Sequence, residues 1–129
     1  MNNTQKLFSL ASLAAKNAYA PYSEFAVGAA IYCNNGKFYS GCNVENISYP
    51  VGTCAETGAI AAMIQDGNKT IDEILIFADS NKLITPCGAC RQRIAEFSTP
   101  NTLVHLANLS GIQKTYTIAE LLPNSFSEF

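Results

Sequence analysis

The sequence predicts an α/β fold, with a mixed sheet covered by helices in two or three layers. Three observations lead there. Segments of helical and strand periodicity alternate in the order α-β-β-α-β-α-β-β, which combines hairpin and crossover connections. The chain has 129 residues, 48% of them apolar, enough for a single domain, 1–129, with one buried core. No repeat, low-complexity stretch or interdomain linker interrupts it.

Leu7, Leu10, Ala11, Ala14 and Ala18 share one face of a first helix, with Asn3 or Thr4 as its cap and Pro21 as its end. Phe25 to Tyr32 is rich in β-formers, Asn34-Asn35-Gly36 reads as a hairpin turn, and Lys37 to Asn43 is the returning strand. A polar loop, Val44 to Gly52, leads into a second helix from Thr53 to about Asp66, closed by Gly67-Asn68. Ile71 to Ala78 reads as a buried strand. Thr85-Pro86 opens a third helix running through Phe97, with Cys90, Ile94 and Phe97 on its inner face. Leu103 to Leu109 and Lys114 to Ile118 are two further strands joined through Ser110-Gly111. Ile118 to Leu122 is a short helical turn stopped by Pro123.

Net charge is −2, from 8 basic and 10 acidic residues. A nucleic-acid track or an anionic-membrane surface needs clustered Lys and Arg, and only Arg91 and Arg93 lie close together. No apolar run has the length of a membrane span. Leu7 to Ala15 followed by Ala18-Tyr19-Ala20 imitates a secretory leader with a small-residue cleavage site. Its charged start is Lys6 alone, however, and its apolar residues repeat at helical spacing, so the cytoplasm is the expected location. Of the five cysteines, Cys33 and Cys42 are expected to be free thiols in a reducing compartment.

The other three carry the chemistry. Cys54, Cys87 and Cys90 can hold one zinc and leave its fourth position to water, the arrangement of a catalytic rather than a structural site. Both cysteine segments open helices, where partial positive charge and free N–H groups favour thiolate. Glu56, two residues after Cys54, is a carboxylate within reach of that water's protons, which points to hydrolysis. Three thiolates on one zinc leave an excess of negative charge. Arg91, directly after Cys90, is the expected partner of a thiolate sulfur. Other readings stand beside these. Thr53-Cys54-Ala55-Glu56 also fits a capping box, in which Glu56 reaches back to the cap N–H. Cys87-Gly88-Ala89-Cys90 alone fits a redox dithiol. His105, the only histidine, sits in a predicted strand and reads as a core or edge residue rather than a fourth ligand.

Cys-Ala-Glu at 54–56 combined with Pro-Cys-x-x-Cys at 86–90 resembles the zinc-deaminase signature. Pro21-Tyr22-Ser23-Glu24-Phe25-Ala26-Val27-Gly28-Ala29-Ala30, Gly41-Cys42-Asn43-Val44-Glu45-Asn46, Tyr49-Pro50, Cys90-Arg91-Gln92 and Leu121-Leu122-Pro123-Asn124-Ser125-Phe126 agree as well. From about residue 21 to 126 the chain is similar to the small homotetrameric cytidine deaminases. The resemblance implies a three-layer α/β/α domain with a mixed five-stranded sheet. It also implies zinc-dependent deamination of cytidine and deoxycytidine to uridine and deyoxyuridine plus ammonia, in pyrimidine salvage, with one zinc per subunit.

It further implies roles for single residues. Glu56 would protonate the ring nitrogen beside the amine and relay a proton to the departing amine. The backbone around Ala55 and the Cys87 region would hold the pyrimidine edge, and Phe25 would pack against the base. Asn43 and Glu45 would bind the ribose hydroxyls, as acidic residues do for ribose elsewhere. Tyr49 and Phe126 would reach a neighbouring subunit's site in a homotetramer. The chain departs from the family at Thr57, where many members carry an Arg that neutralises ligand thiolate, and Ala89 is no substitute. A relative acting on blasticidin S also lacks that Arg, so such a modified cytosine nucleoside is an alternative substrate. A polynucleotide substrate fits poorly with a short acidic chain lacking a basic groove.

Overall fold

A computed structural model describes all 129 residues. Its five strands form one mixed sheet in the order β2-β1-β3-β4-β5. The hairpin β1 (Val27–Tyr32) and β2 (Phe38–Cys42) comes first, followed by β3 (Ile71–Ala78), β4 (Ser98–Asn108) and β5 (Gly111–Thr117). Only β3 and β4 run parallel, and helix α3 (Gly88–Glu96) is their crossover. Helix α1 (Asn3–Lys16) precedes the sheet, α2 (Ala55–Gln65) joins β2 to β3, and the short α4 (Ile118–Leu121) follows β5. No helix is long and apolar enough to cross a membrane.

The two faces of the sheet are buried by different helices. Leu7, Ala11 and Ala15 of α1 pack on Ala30, Leu75, Phe77 and Ala107. On the other face Ala55, Ala59 and Met63 of α2, with Ile94 of α3 and Leu121 of α4, cover Ala29, Ile31, Ile74, Ile76, Val104 and Leu106. Successive residues of β1, β3 and β4 thus point into opposite cores, which is why these strands read as unbroken apolar runs. Each fully buried Leu or Ile contributes about 1.5–3 kcal/mol of transfer free energy.

Two glycines set how closely the helices approach. A Cβ on Gly28 would lie 1.9 Å from the Ala11 carbonyl oxygen of α1. One on Gly41 would lie 2.4 Å from the Ala59 nitrogen and 2.7 Å from the Ala55 carbonyl oxygen. Gly41 therefore seats the first turn of α2 directly on the sheet.

Several boundaries differ from expectation for identifiable reasons. The cap of α1 is Asn2, in a reciprocal capping box with Gln5. The helix ends at Asn17, before Pro21, because Tyr19 pairs with the distant loop after β2. Its N–H donates to the Asn43 carbonyl at 3.0 Å, and its carbonyl accepts from Glu45 N–H at 2.8 Å. β1 starts at Val27, not Phe25, because the Asn43 side chain clamps that lead-in (Val27 N–H to Oδ1 2.9 Å, Nδ2 to the Phe25 carbonyl 2.8 Å). β4 begins early, at Ser98, through a register shift against Ile71. There the buried Thr102 hydroxyl donates to the Ile71 carbonyl at 2.6 Å.

Candidate metal centre and active-site cavity

Helices α2 and α3 both begin with a cysteine. Cys54 is the N-cap of α2 and Cys87 that of α3, each with extended backbone and neither side chain used as a cap. Both sulfurs are therefore free for other work, while the cap carbonyls open the helices by accepting from Thr57 and Arg91 N–H. Cys90 lies one turn into α3 and is 1% exposed. The three Sγ atoms lie within 4.8 Å of one another. Tetrahedral thiolates about 2.3 Å from a zinc stand about 3.8 Å apart, so the donor set fits zinc with little adjustment.

The thiols do not share one electrostatic environment. The backbone N–H of Cys90 holds the Cys87 thiol below its ordinary value. Burial pushes the Cys54 and Cys90 thiols up, and the nearby Glu56 charge adds to this. Helix N-termini thus favour thiolate at one position of the three, and at the other two burial outweighs them. Metal uptake must displace protons there.

Glu56 is the second residue of α2, 4% exposed, and burial raises its carboxyl above the ordinary value. The capping-box alternative is displaced, because Thr53 lies outside the helix. It exchanges two backbone hydrogen bonds with Val44 (2.8 and 2.9 Å), so its N–H is already paired.

Cys54, Ala55, Glu56, Cys87 and Cys90 line a cavity of about 610 Å³, a volume suited to a small molecule. Val27, Ile76, Ile84 and Pro86 give it apolar walls, and Tyr22, Ser23, Asn43, Glu45 and Tyr49 line it as well. Glu45 accepts from the N–H groups of Tyr22 (2.9 Å) and Ser23 (3.1 Å) and from the Ser23 hydroxyl. The Ser23 hydroxyl is the main reason its carboxyl lies below the ordinary value. Glu45 keeps one acceptor site free and Asn43 one N–H. Tyr49 is 74% exposed and packs against Tyr22 with ring centroids 5.9 Å apart.

Two expected site residues, Phe25 and Arg91, lie elsewhere. Phe25 is half-buried but not on the cavity wall, since the Asn43 clamp fixes its backbone beside the cavity. Phe126, expected at a neighbouring subunit's site, is exposed, with its carbonyl accepting from Gln92 and its ring on Phe129. Arg91 does not touch a sulfur. Its guanidinium donates to the Pro86 carbonyl (2.8 Å) and the Leu121 carbonyl (2.9 Å), tying the loop before Cys87 to α4. Arg93 Nη1 instead reaches Cys90 Sγ at 3.7 Å. On a helix, residues three apart share a face and adjacent ones do not, so the i+3 spacing was the signal for Arg93. Ser23 carried no comparable signal, because its partner is 22 residues away. His105 lies apart from the cysteines, between Glu73 (2.8 Å) and Thr115 (2.8 Å).

A mixed sheet presenting three thiols and a buried carboxylate from two helix N-termini defines a zinc-dependent hydrolase of the deaminase class. The family model for the cytidine and deoxycytidylate deaminase zinc-binding region matches residues 1–106, and the chain belongs to this family. It is 41% identical over 126 residues to a cytidine deaminase of Sporosarcina psychrophila, covering 98% of this chain and 93% of that one. Another, from Halalkalibacterium halodurans, is 41% identical over 123 residues, covering 95% and 93%. The crystal structure of cytidine deaminase from Burkholderia pseudomallei matches with a TM-score of 0.91 at 39% identity, covering 98% of this chain and all of that one.

Proposed function

We propose that this protein hydrolyses cytidine and deoxycytidine to uridine and deoxyuridine with release of ammonia, in pyrimidine salvage. The observation that carries this is the buried Glu56 carboxyl beside the three-sulfur cluster in one cavity of about 610 Å³. Cys54, Cys87 and Cys90 hold one zinc, which when bound supplies a Lewis acid that activates water near neutral pH. Glu56 carries protons, first to the ring nitrogen beside the amine and then to the departing amine. Burial raises its carboxyl above the ordinary carboxylate range, which favours the protonated form that donates to the substrate. The Ala55 backbone holds the pyrimidine edge. Val27 and Ile76 supply an apolar wall for the base, and Phe25 packs against it from beside the cavity. Glu45 and Asn43, braced by the Tyr22–Phe25 backbone, offer their remaining hydrogen-bonding capacity to the ribose hydroxyls. No feature of the cavity favours blasticidin S.

The chain acts as one domain in a cytoplasmic homotetramer. Five free cysteines suit a reducing compartment. Val44, Ile47, Tyr49 and Val51 form an exposed apolar rim beside the cavity, and Phe126 and Phe129 are exposed at the tail. Such a surface suits contact with another subunit, where Tyr49 and Phe126 complete the neighbouring site.

The test follows the ultraviolet change with cytidine, deoxycytidine, blasticidin S and a cytosine-containing oligonucleotide. The two plain nucleosides turn over, and Glu56→Gln loses at least about 10²-fold in kcat with zinc retained. Turnover surviving that substitution would refute the assignment of Glu56.

A further inference from the structure

We propose that Arg93 is a positioning residue of the metal centre, whose guanidinium bonds the Cys90 sulfur and offsets the excess thiolate charge. This rests on the zinc reading of the three cysteines.

Three thiolates and one divalent zinc leave a net negative charge, and Cys90 is 1% exposed, so water does not stabilise its sulfur. That sulfur therefore needs a partner within the protein. Cys87 is exposed and caps α3, where water and the helix N-terminus favour thiolate. Cys90 has Arg93, with Nη1 at 3.7 Å. Its neighbour Arg91 is committed to two carbonyls. The position after Glu56 supplies no cation, since Thr57 stands there with a buried hydroxyl that has no hydrogen-bond partner. Positive charge thus reaches the centre from the last turn of α3 and not from the first turn of α2. Partners of this kind orient metal ligands and tune the metal, and losing one typically lowers metal affinity about 10–100-fold. Arg93 is on the exposed side of α3, so solvent screening puts the effect near the lower end.

The experiment measures zinc affinity by chelator competition in wild type, Arg93→Gln and Arg93→Lys. It adds the sulfur-to-metal charge-transfer absorption of the cobalt-substituted proteins and the Tm of each apo and zinc-loaded form. Arg93→Gln should lose about tenfold or more in affinity. Its charge-transfer band should shift and its Tm should fall in the loaded form only. Arg93→Lys should recover part of the affinity, since it keeps the charge and loses the planar fork. Unchanged affinity and an unchanged band in Arg93→Gln would overturn the proposal, as would an equal Tm loss in apo and loaded protein, the mark of a helix-stabilising residue. Wild type that binds no stoichiometric metal would instead remove the zinc reading itself.

Discussion

Replacing Gly41 by alanine tests whether the sheet sets the position of the metal ligands. The added Cβ would meet the Ala59 nitrogen at 2.4 Å, the Ala55 carbonyl oxygen at 2.7 Å and a Gly58 backbone carbon at 2.7 Å. All three are backbone atoms, so no rotamer change relieves the clash. Ordinary contact begins at 3.4 Å, so α2 must withdraw by about 1 Å at this point. Overpacking of this kind costs about 1–3 kcal/mol, which lowers Tm by several degrees in a domain of this size. Cys54 and Glu56 open α2 and move with it, whereas Cys87 and Cys90 belong to α3 and stay. A misplacement of about 1 Å in a catalytic constellation costs about 10²-fold in rate, so kcat/KM should fall to that extent and zinc affinity with it. Gly28→Ala is the companion variant. Its Cβ would meet the Ala11 carbonyl oxygen of α1 at 1.9 Å, so stability should suffer at least as much. Since α1 lines no part of the cavity, zinc affinity should hold. The assays are denaturant unfolding, chelator competition and cytidine turnover. Gly41→Ala with wild-type zinc affinity and turnover would refute the reasoning, as would equal loss of zinc affinity in both variants.

Two further outcomes follow from the electrostatics. Cys54 and Cys90 have raised pKa values, so in the metal-free protein they are thiols at neutral pH and metal uptake releases their two protons. Apparent zinc affinity should therefore rise at least about a hundredfold per pH unit near neutrality, measured by chelator competition across pH, and a flat profile would contradict this. His105→Ala removes the partner of Glu73 and Thr115, apart from the cavity. It should cost about 1–3 kcal/mol in denaturant unfolding while turnover stays at the wild-type level.

Much of the site was legible because its parts are local. Cys54 and Glu56 lie within one turn, as do Cys87 and Cys90, and a helix opening is written in the residues around it. Strand existence was legible from apolar runs, since both faces of β1, β3 and β4 are buried. Adjacency in sequence points to Arg91, but the angular spacing of a helix puts Arg93 over Cys90 and leaves Arg91 to the Pro86 and Leu121 carbonyls. The placement of Phe25 was not legible, because the Asn43 side chain, acting across 18 residues, decides how its segment lies.

By itself, the sequence determined which elements form and which side chains can bind a soft metal and carry a proton. Periodicity and ligand chemistry act over a few residues and need no knowledge of the fold. Only the tertiary structure decided that the two cysteine segments converge, with all three sulfurs within 4.8 Å. It also decided which arginine meets a sulfur, and that burial pushes two of the three thiols above their ordinary value. Convergence depends on α2 and α3 packing on one face of the sheet, and desolvation depends on everything packed around the site. Neither is a property of any short stretch of chain.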